Sequence, residues 1–254
     1  MATRIVDLSV PLENFAFEFH SASVTYWEHN DGARRTARAW GLDTADYPEP
    51  HVGGALEEVT AVSHAGTHLD APWHFGPLTE GKPGKTIDQV PLEWCYGDGV
   101  VLDFVGVKGD GEYIDVPDIK AALERIRYTL KRGDIVMFRT GAGAYWGKPD
   151  FTERGAGLTG QAVFWLVEQG VKVMTTDAFT LDIPIPRMAE KLKAGDREGF
   201  FPVHRAGRKV EYLHAEKVVI PDDLPKTGFK VALFPIKIRR GSGGWCRAVA
   251  IIEE

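Results

Sequence analysis

The chain has little that would tie it to an oxidising compartment, a membrane or a nucleic acid. Among 254 residues there are two cysteines, Cys95 and Cys246, far apart and outside any CxxC pair. That excludes a disulfide framework and a thiolate metal knuckle, and leaves two buried free thiols as the expectation. No apolar run approaches membrane-spanning length, and Met1-Ala2-Thr3-Arg4-Ile5-Val6-Asp7 lacks the apolar core of a secretory signal. A cytoplasmic protein is therefore expected. Lys and Arg number 30 against 36 Asp and Glu, for a net charge of -6, and the bases are interleaved with acids. There is thus no basic face for nucleic acid or a membrane surface, and the expected partner is a small molecule. Internal repeats and low-complexity linkers are also missing. With a hydrophobic share of 44%, a chain of this length buries one substantial core, so residues 1–254 are read as a single domain.

What is present is a series of short apolar strands with two clear helices. Strands are expected over Ile5 to Val10, Val100 to Phe104, Ile135 to Arg139 and Val171 to Thr175. A helix follows Asp115 and Pro117, with Ile119, Ala122, Leu123, Ile126 and Leu130 on one face and Gly133 as its end. A second begins near Thr159, buries Val163, Leu166 and Val167, and ends at Gly170. Each helix leads into a strand, as in α/β units, and the chain closes with a hairpin of Lys230 to Ile238, a Gly241–Gly244 turn, and Cys246 to Ile252. The pattern predicts a mixed α/β fold with too few helices for a full Rossmann or TIM architecture.

One stretch stands apart. His64-Ala65-Gly66-Thr67-His68-Leu69-Asp70-Ala71-Pro72-Trp73-His74 carries three of the eight histidines and a carboxylate. Even scattering would put roughly a third of one histidine in such a window, and imidazole with carboxylate is the ligand set of a catalytic transition metal. The four-residue spacing of His64 and His68 resembles a helical metalloprotease motif, but Leu56 to Val62 alternates with period two and Gly66, Thr67 and Pro72 disfavour helix. No glutamate follows His64 to serve as the protease base. In a strand running into a tight loop, His68 and Asp70 share a side while Gly66 lets the backbone fold His64 back toward them. Further ligands are sought in the region of Phe200 to Pro225, which holds His204, His214 and Glu216. Neither glycine-rich stretch reads as a phosphate loop: Gly141 to Gly147 runs into Lys148-Pro149-Asp150 instead of a helix, and Gly241 to Gly244 leads into a strand.

These residues match the HxGTHxDxPxH signature of the metal-dependent cyclase-like hydrolases, the group that includes kynurenine formamidases and isatin hydrolases. Every fixed position of the signature is present, and the chain is similar to the family at Asp7 to Leu12, at Arg139 to Trp146, and at His204, Glu216 and Asp222-Asp223-Leu224-Pro225. The resemblance implies a swivelling β/α/β fold and a site holding one manganese or two zinc ions. It implies that His64, His68 and Asp70 bind the first metal and that Asp70 bridges to a second held by His204 and Glu216, with His214 a competing ligand ranked lower. Glu216 is also placed among the catalytic residues. A homo-oligomer, dimer or tetramer, is expected on the same ground.

The chemistry expected of such a site is hydrolysis of a C–N bond in a small cyclic or aryl amide. A divalent metal, Mn(II) or Zn(II), lowers the pKa of bound water so that hydroxide attacks the carbonyl. His74, six residues beyond His68, is the candidate to protonate the leaving nitrogen. Trp73 and Phe75, which flank His74, and Trp146 are candidate substrate-binding aromatics. The polar stretch from Glu28 to Pro50 is long for a structureless connection and reads as a lid or dimer arm; insertions around Thr25 to Pro50 and Arg187 to Gly199 argue for a pocket different from, or larger than, that of a formamidase. Two other classes are retained. A two-histidine, one-carboxylate iron oxygenase would require an all-β double-stranded helix, and a silent metal-dependent binding protein would have no use for His74.

Overall fold

In a computed structural model, residues 2–14, 17–18, 21–48 and 50–253 are described. Glu49, inside the expected lid or arm, and the end residues Met1 and Glu254 lie outside the described residues. The main strands are β1 (Thr3–Asp7), β2 (Ser23–Trp27), β3 (Leu56–Thr60), β4 (His68–Asp70), β5 (Tyr96–Asp103), β6 (Ile135–Arg139), β7 (Val173–Thr176), β8 (Leu213–Glu216), β9 (Lys230–Ala232), β10 (Gly243–Trp245) and β11 (Val249–Glu253). The helices are α1 (His29–Trp40), α2 (Pro72–Phe75), α3 (Val116–Arg125), α4 (Gly160–Glu168), α5 (Ile185–Lys193) and α6 (Pro202–Ala206). Nine strands form one mixed sheet in the order β1-β11-β9-β5-β6-β7-β8-β4-β10, while β2 and β3 form a separate antiparallel ribbon.

The centre of the sheet, β5-β6-β7-β8, is parallel. β5 and β6 are apolar on consecutive residues, Val100 to Leu102 and Ile135 to Phe138, because both of their faces are covered. Ile135 and Met137 enter one core cluster with Val101, Leu69 and Ala215, and Val136 and Phe138 enter the other with Ile119, Leu123, Val163 and Leu166 of α3 and α4. The crossovers β5-α3-β6 and β6-α4-β7 are the expected α/β units. Asp115 and Thr159 each accept a backbone N–H at the helix start and so fix where α3 and α4 begin.

Several expectations are corrected. The first helix stops at Arg125, not at Gly133: Arg127 takes a left-handed φ of 52°, and Ile126 and Leu130 reach the same core from the turn. Two helices that the sequence pattern does not predict, α1 and α5, join the two expected ones. α1 buries only Gly32, Ala33 and Ala37, and α5 only Met188, so neither shows a wide apolar stripe in sequence. The segment from Glu28 to Pro50 is therefore largely helical. The terminal hairpin pairs β9 with β11, but Gly243–Trp245 is a strand and not a turn; it leaves the hairpin and lies beside β4 at the far edge of the sheet. The mixed α/β sheet is not the all-β double-stranded helix that the oxygenase alternative requires. No helix among the described residues is long and apolar enough to cross a membrane.

Candidate metal centre

Three short antiparallel strands, β8, β4 and β10, build the floor of the site. His68 and Asp70 are two apart on β4, as are His214 and Glu216 on β8, so each pair projects from one face. The register sets them directly opposite: His214 faces Asp70 and Glu216 faces His68. Their intervening residues, Leu69 and Ala215, point into the apolar core behind the sheet. On the other side of β4, Gly243 pairs with Asp70 and offers no side chain, and that space is taken by the His64 ring. Gly66 carries a φ of 56°, and the reversal it permits returns His64 to Asp70.

Asp70 is the hub. Its Oδ1 lies 2.6 Å from His64 Nδ1 and 3.1 Å from His68 Nε2. Its Oδ2 lies 2.7 Å from His214 Nε2, 3.8 Å from His74 Nε2 and 3.9 Å from His204 Nε2. Glu216 completes the cluster, with Oε1 3.3 Å from His214 Nε2 and Oε2 3.6 Å from His68 Nε2. Among the described residues, His68 Nε2, both Asp70 oxygens and His214 Nε2 are buried without a hydrogen-bond partner, so these close approaches lack hydrogen-bond alignment. Burying such atoms unsatisfied costs of order 1–3 kcal/mol each, more for charged groups. A shared cation would satisfy all four.

The outer nitrogens are already engaged, which leaves the inner ones as lone-pair donors. His68 Nδ1 is 3.0 Å from the Gly66 carbonyl, His64 Nε2 is 2.9 Å from Ser242 Oγ, and His214 Nδ1 is 3.5 Å from Tyr212 Oη. His204 Nδ1 lies 2.5 Å from Asp182 Oδ2, and Asp182 Oδ1 accepts the N–H of Val203 at 2.7 Å. Asp182 thereby caps the start of α6 and aims the histidine that α6 carries.

Electrostatics agree with a cation site. Burial alone would raise the Asp70 carboxyl, yet His74, His68 and His214 hold it well below the carboxylate range. Glu216 is likewise favoured by burial to protonate, but His214 outweighs this and holds it at about 2. Burial pulls His214 down while Asp70 and Glu216 push it up to about 10. Two ionised carboxylates in a buried cluster need positive charge, supplied by imidazolium in the metal-free state and by a divalent cation in its place. Two groups of potential ligands share Asp70: Asp70, His204, His214 and Glu216, and His64, Asp70 and His74, with the donor atoms of each group within 4.8 Å of one another. That donor set suits a borderline or hard divalent ion.

Beside the cluster opens a cavity of about 270 Å³ lined by Val62, Phe179, Ile185 and Phe201 as well as His64, His74, His204 and Glu216. The sequence-selected residues His64, His68, Asp70, His74, His204 and Glu216 thus all meet, and His214, ranked lower, joins them. The selected aromatics do not line this cavity. Phe75 is buried and stacked on Tyr212 at 5.0 Å, behind the rings of His204 and His214. Trp73 is exposed, and Trp146 donates its Nε1–H to Glu13 and lines a neighbouring cavity. Sequence reasoning misses Asp182, although its place past the carboxyl end of the parallel strand β7 is where α/β sheets hold ligands. Nothing in the local pattern marks Phe179 or Phe201.

The Cyclase family model matches residues 6–183 of the chain. A kynurenine formamidase of Erythrobacter litoralis is 28% identical over 215 residues, 84% of this chain and 81% of that protein. An isatin hydrolase of Roseibium aggregatum is 24% identical over 199 residues, 75% of this chain and 72% of that protein. Among solved structures, isatin hydrolase A from Ralstonia solanacearum superposes with a TM-score of 0.77 at 21% identity, covering 99% of this chain and 92% of that one.

Proposed function

Because the chain belongs to the Cyclase family, we propose that it is a metal-dependent hydrolase that cleaves a C–N bond of a small cyclic or aryl amide. The observation that carries this is Asp70, whose two buried oxygens lack hydrogen-bond partners and face separate sets of imidazoles. The names of the relatives, a formamidase and an isatin hydrolase, support the bond type. His64, His68, Asp70, His204, His214 and Glu216 would hold one or two divalent ions, Mn(II) or Zn(II). Such an ion supplies Lewis acidity, polarising a carbonyl and acidifying water.

The remaining steps fall to the chain. The apolar walls of Val62, Phe179, Ile185 and Phe201 bind a planar substrate and exclude bulk water from the reacting carbonyl. His74 faces the same cavity with a third of its side chain exposed. Partial burial in the cavity wall lowers it to about 4, with Asp70 opposing and His204 and His64 adding to the shift. It is therefore neutral at pH 7 and able to take a proton from water at Nε2 and pass it to the leaving nitrogen. Its place within ligand distance of His64 and Asp70 makes retention of metal without His74 a direct check of that role. We also propose that the chain forms a homo-oligomer through the β2–β3 ribbon. Tyr26, Leu56 and Val59 on the ribbon and Val62 at the cavity rim are exposed, and sedimentation of the purified chain as a monomer would refute this.

The test is a screen of chelated protein restored separately with Mn(II), Zn(II) or Fe(II), against N-formylkynurenine, isatin, cyclic amides, lactones and esters. Metal-dependent deformylation or ring opening without oxygen uptake is the expected result. Absence of hydrolysis with every metal would refute the proposal, and oxygen uptake confined to Fe(II) would replace it with an oxygenase.

A further inference from the structure

Beside the ligand cluster lies a buried ion pair that plays no part in the chemistry above. Lys217 follows Glu216 directly and adopts a φ of 56°, a region that residues with side chains seldom occupy. A regular strand would send residue 217 to the opposite face from Glu216. Here both residues line the substrate cavity. The backbone of Lys217 is held from two sides, its N–H donating to the Ala178 carbonyl at 3.1 Å and its carbonyl accepting from the Thr67 hydroxyl at 2.6 Å.

Its ammonium, with 1% of the side chain exposed, donates to the His64 carbonyl at 3.0 Å, meets Glu18 Oε2 at 3.1 Å and lies 4.7 Å from the centre of the Phe179 ring. Glu18, itself 4% exposed, accepts the N–H of Gly66 at 3.1 and 3.2 Å. The two opposite charges therefore grip both ends of the three-residue loop His64–Gly66, one at a carbonyl and one at an amide. We propose that Lys217 is a positioning residue for His64. Through its pair with Lys217, Glu18 latches the His64–Gly66 loop so that His64 Nδ1 faces Asp70. This rests on the metal-dependent reading above. A buried pair of this kind is costly to break from one side, because the remaining charge stays buried without a partner.

The test compares wild type, Lys217→Met, Glu18→Gln and the double variant in three measurements: Zn(II) affinity by competition with a chromophoric chelator, the Co(II) absorption spectrum, and the thermal transition of the metal-free protein. Outer partners of metal ligands typically alter affinity by about 10- to 100-fold. We expect a loss of that size and a shifted Co(II) spectrum in Lys217→Met. Glu18→Gln should show a smaller loss, and the double variant should bind metal no more tightly than Lys217→Met while its thermal transition lies closer to wild type, because no buried charge is left unpaired. A folded Lys217→Met with wild-type affinity and spectrum overturns the latch. Should that variant fail to fold, wild-type values in Glu18→Gln overturn it equally. A wild-type chain that binds neither Zn(II) nor Co(II) overturns the metal reading together with the latch, whereas an unaffected variant of a metal-binding wild type overturns the latch alone.

Discussion

Gly243 gives the sharpest perturbation of the site, because it touches no ligand chemically and acts only through space. In Gly243→Ala the new Cβ would stand 2.7 Å from His64 Cε1, 3.1 Å from His64 Nε2 and 3.0 Å from the Leu69 carbonyl. That carbonyl belongs to β4 and is fixed by the sheet, so the imidazole must give way. Recovering ordinary contact requires the ring to retreat by about 0.7 Å, the difference between 2.7 Å and the 3.4 Å at which ordinary contact begins. The ring has little slack, with Asp70 Oδ1 at 2.6 Å on one edge and Ser242 Oγ at 2.9 Å on the other. Overpacking of this kind costs about 1–3 kcal/mol. Drawn from metal binding, that is about a 5- to 150-fold weaker affinity. Gly244→Ala is the control. Its Cβ would meet the Ile236 carbonyl at 2.8 Å and the side chains of Ile87 and Pro235, away from the ligands, so it should lower the melting temperature while leaving affinity unchanged. Chelator competition and the Co(II) spectrum read the difference. A Gly243→Ala protein with wild-type affinity and spectrum would refute the view that His64 occupies this space as a ligand.

Three further outcomes follow from the same geometry. His74→Ala should lower kcat by about 10²- to 10⁴-fold, the range for a lost general acid–base group, with metal content by atomic emission unchanged; loss of metal in this variant would make His74 a ligand instead. Metal binding near pH 7 should release protons, because His214 is pushed up to about 10 by Asp70 and Glu216 against the effect of burial and must become neutral to ligate. Calorimetry in buffers of different ionisation enthalpy checks this, and no dependence on the buffer would refute it. The sign for stability is also set. A folded value above the unfolded 6.5 means that His214 stabilises the metal-free protein fully below pH 6.5 and that this contribution is lost as pH rises through about 10. The melting temperature of chelated protein should therefore fall over that window, and a flat profile would contradict the assignment.

Much of the centre is legible in the amino-acid sequence. The cluster from His64 to His74 is dense enough to mark a site, and β4 needs only period-two alternation to place His68 and Asp70 on one side. β6 is equally plain, since Ile135 to Phe138 is apolar throughout and buried on both faces. The helices α1 and α5 are not, because they bury small residues or a single methionine. The selected aromatics lie off the cavity beside the cluster for a related reason. Adjacency to His74 in sequence says little about which ring faces the cavity, and the tight turn of α2 sends Phe75 into the core and Trp73 outward.

What the sequence determined by itself is the local chemistry: the imidazoles and carboxylate, their spacing along one strand and loop, and the alternation that gives each strand two faces. Those properties depend on backbone geometry over a few residues. Tertiary structure alone decided which distant groups meet them. The pairing of His214 with Asp70 and Glu216 with His68, the return of Gly243 beside β4, the capping of α6 by Asp182 and the grip of Lys217 on His64 all arise from contacts between segments far apart in the chain. Such contacts are set by sheet register and core packing across the whole fold, and no local pattern encodes them.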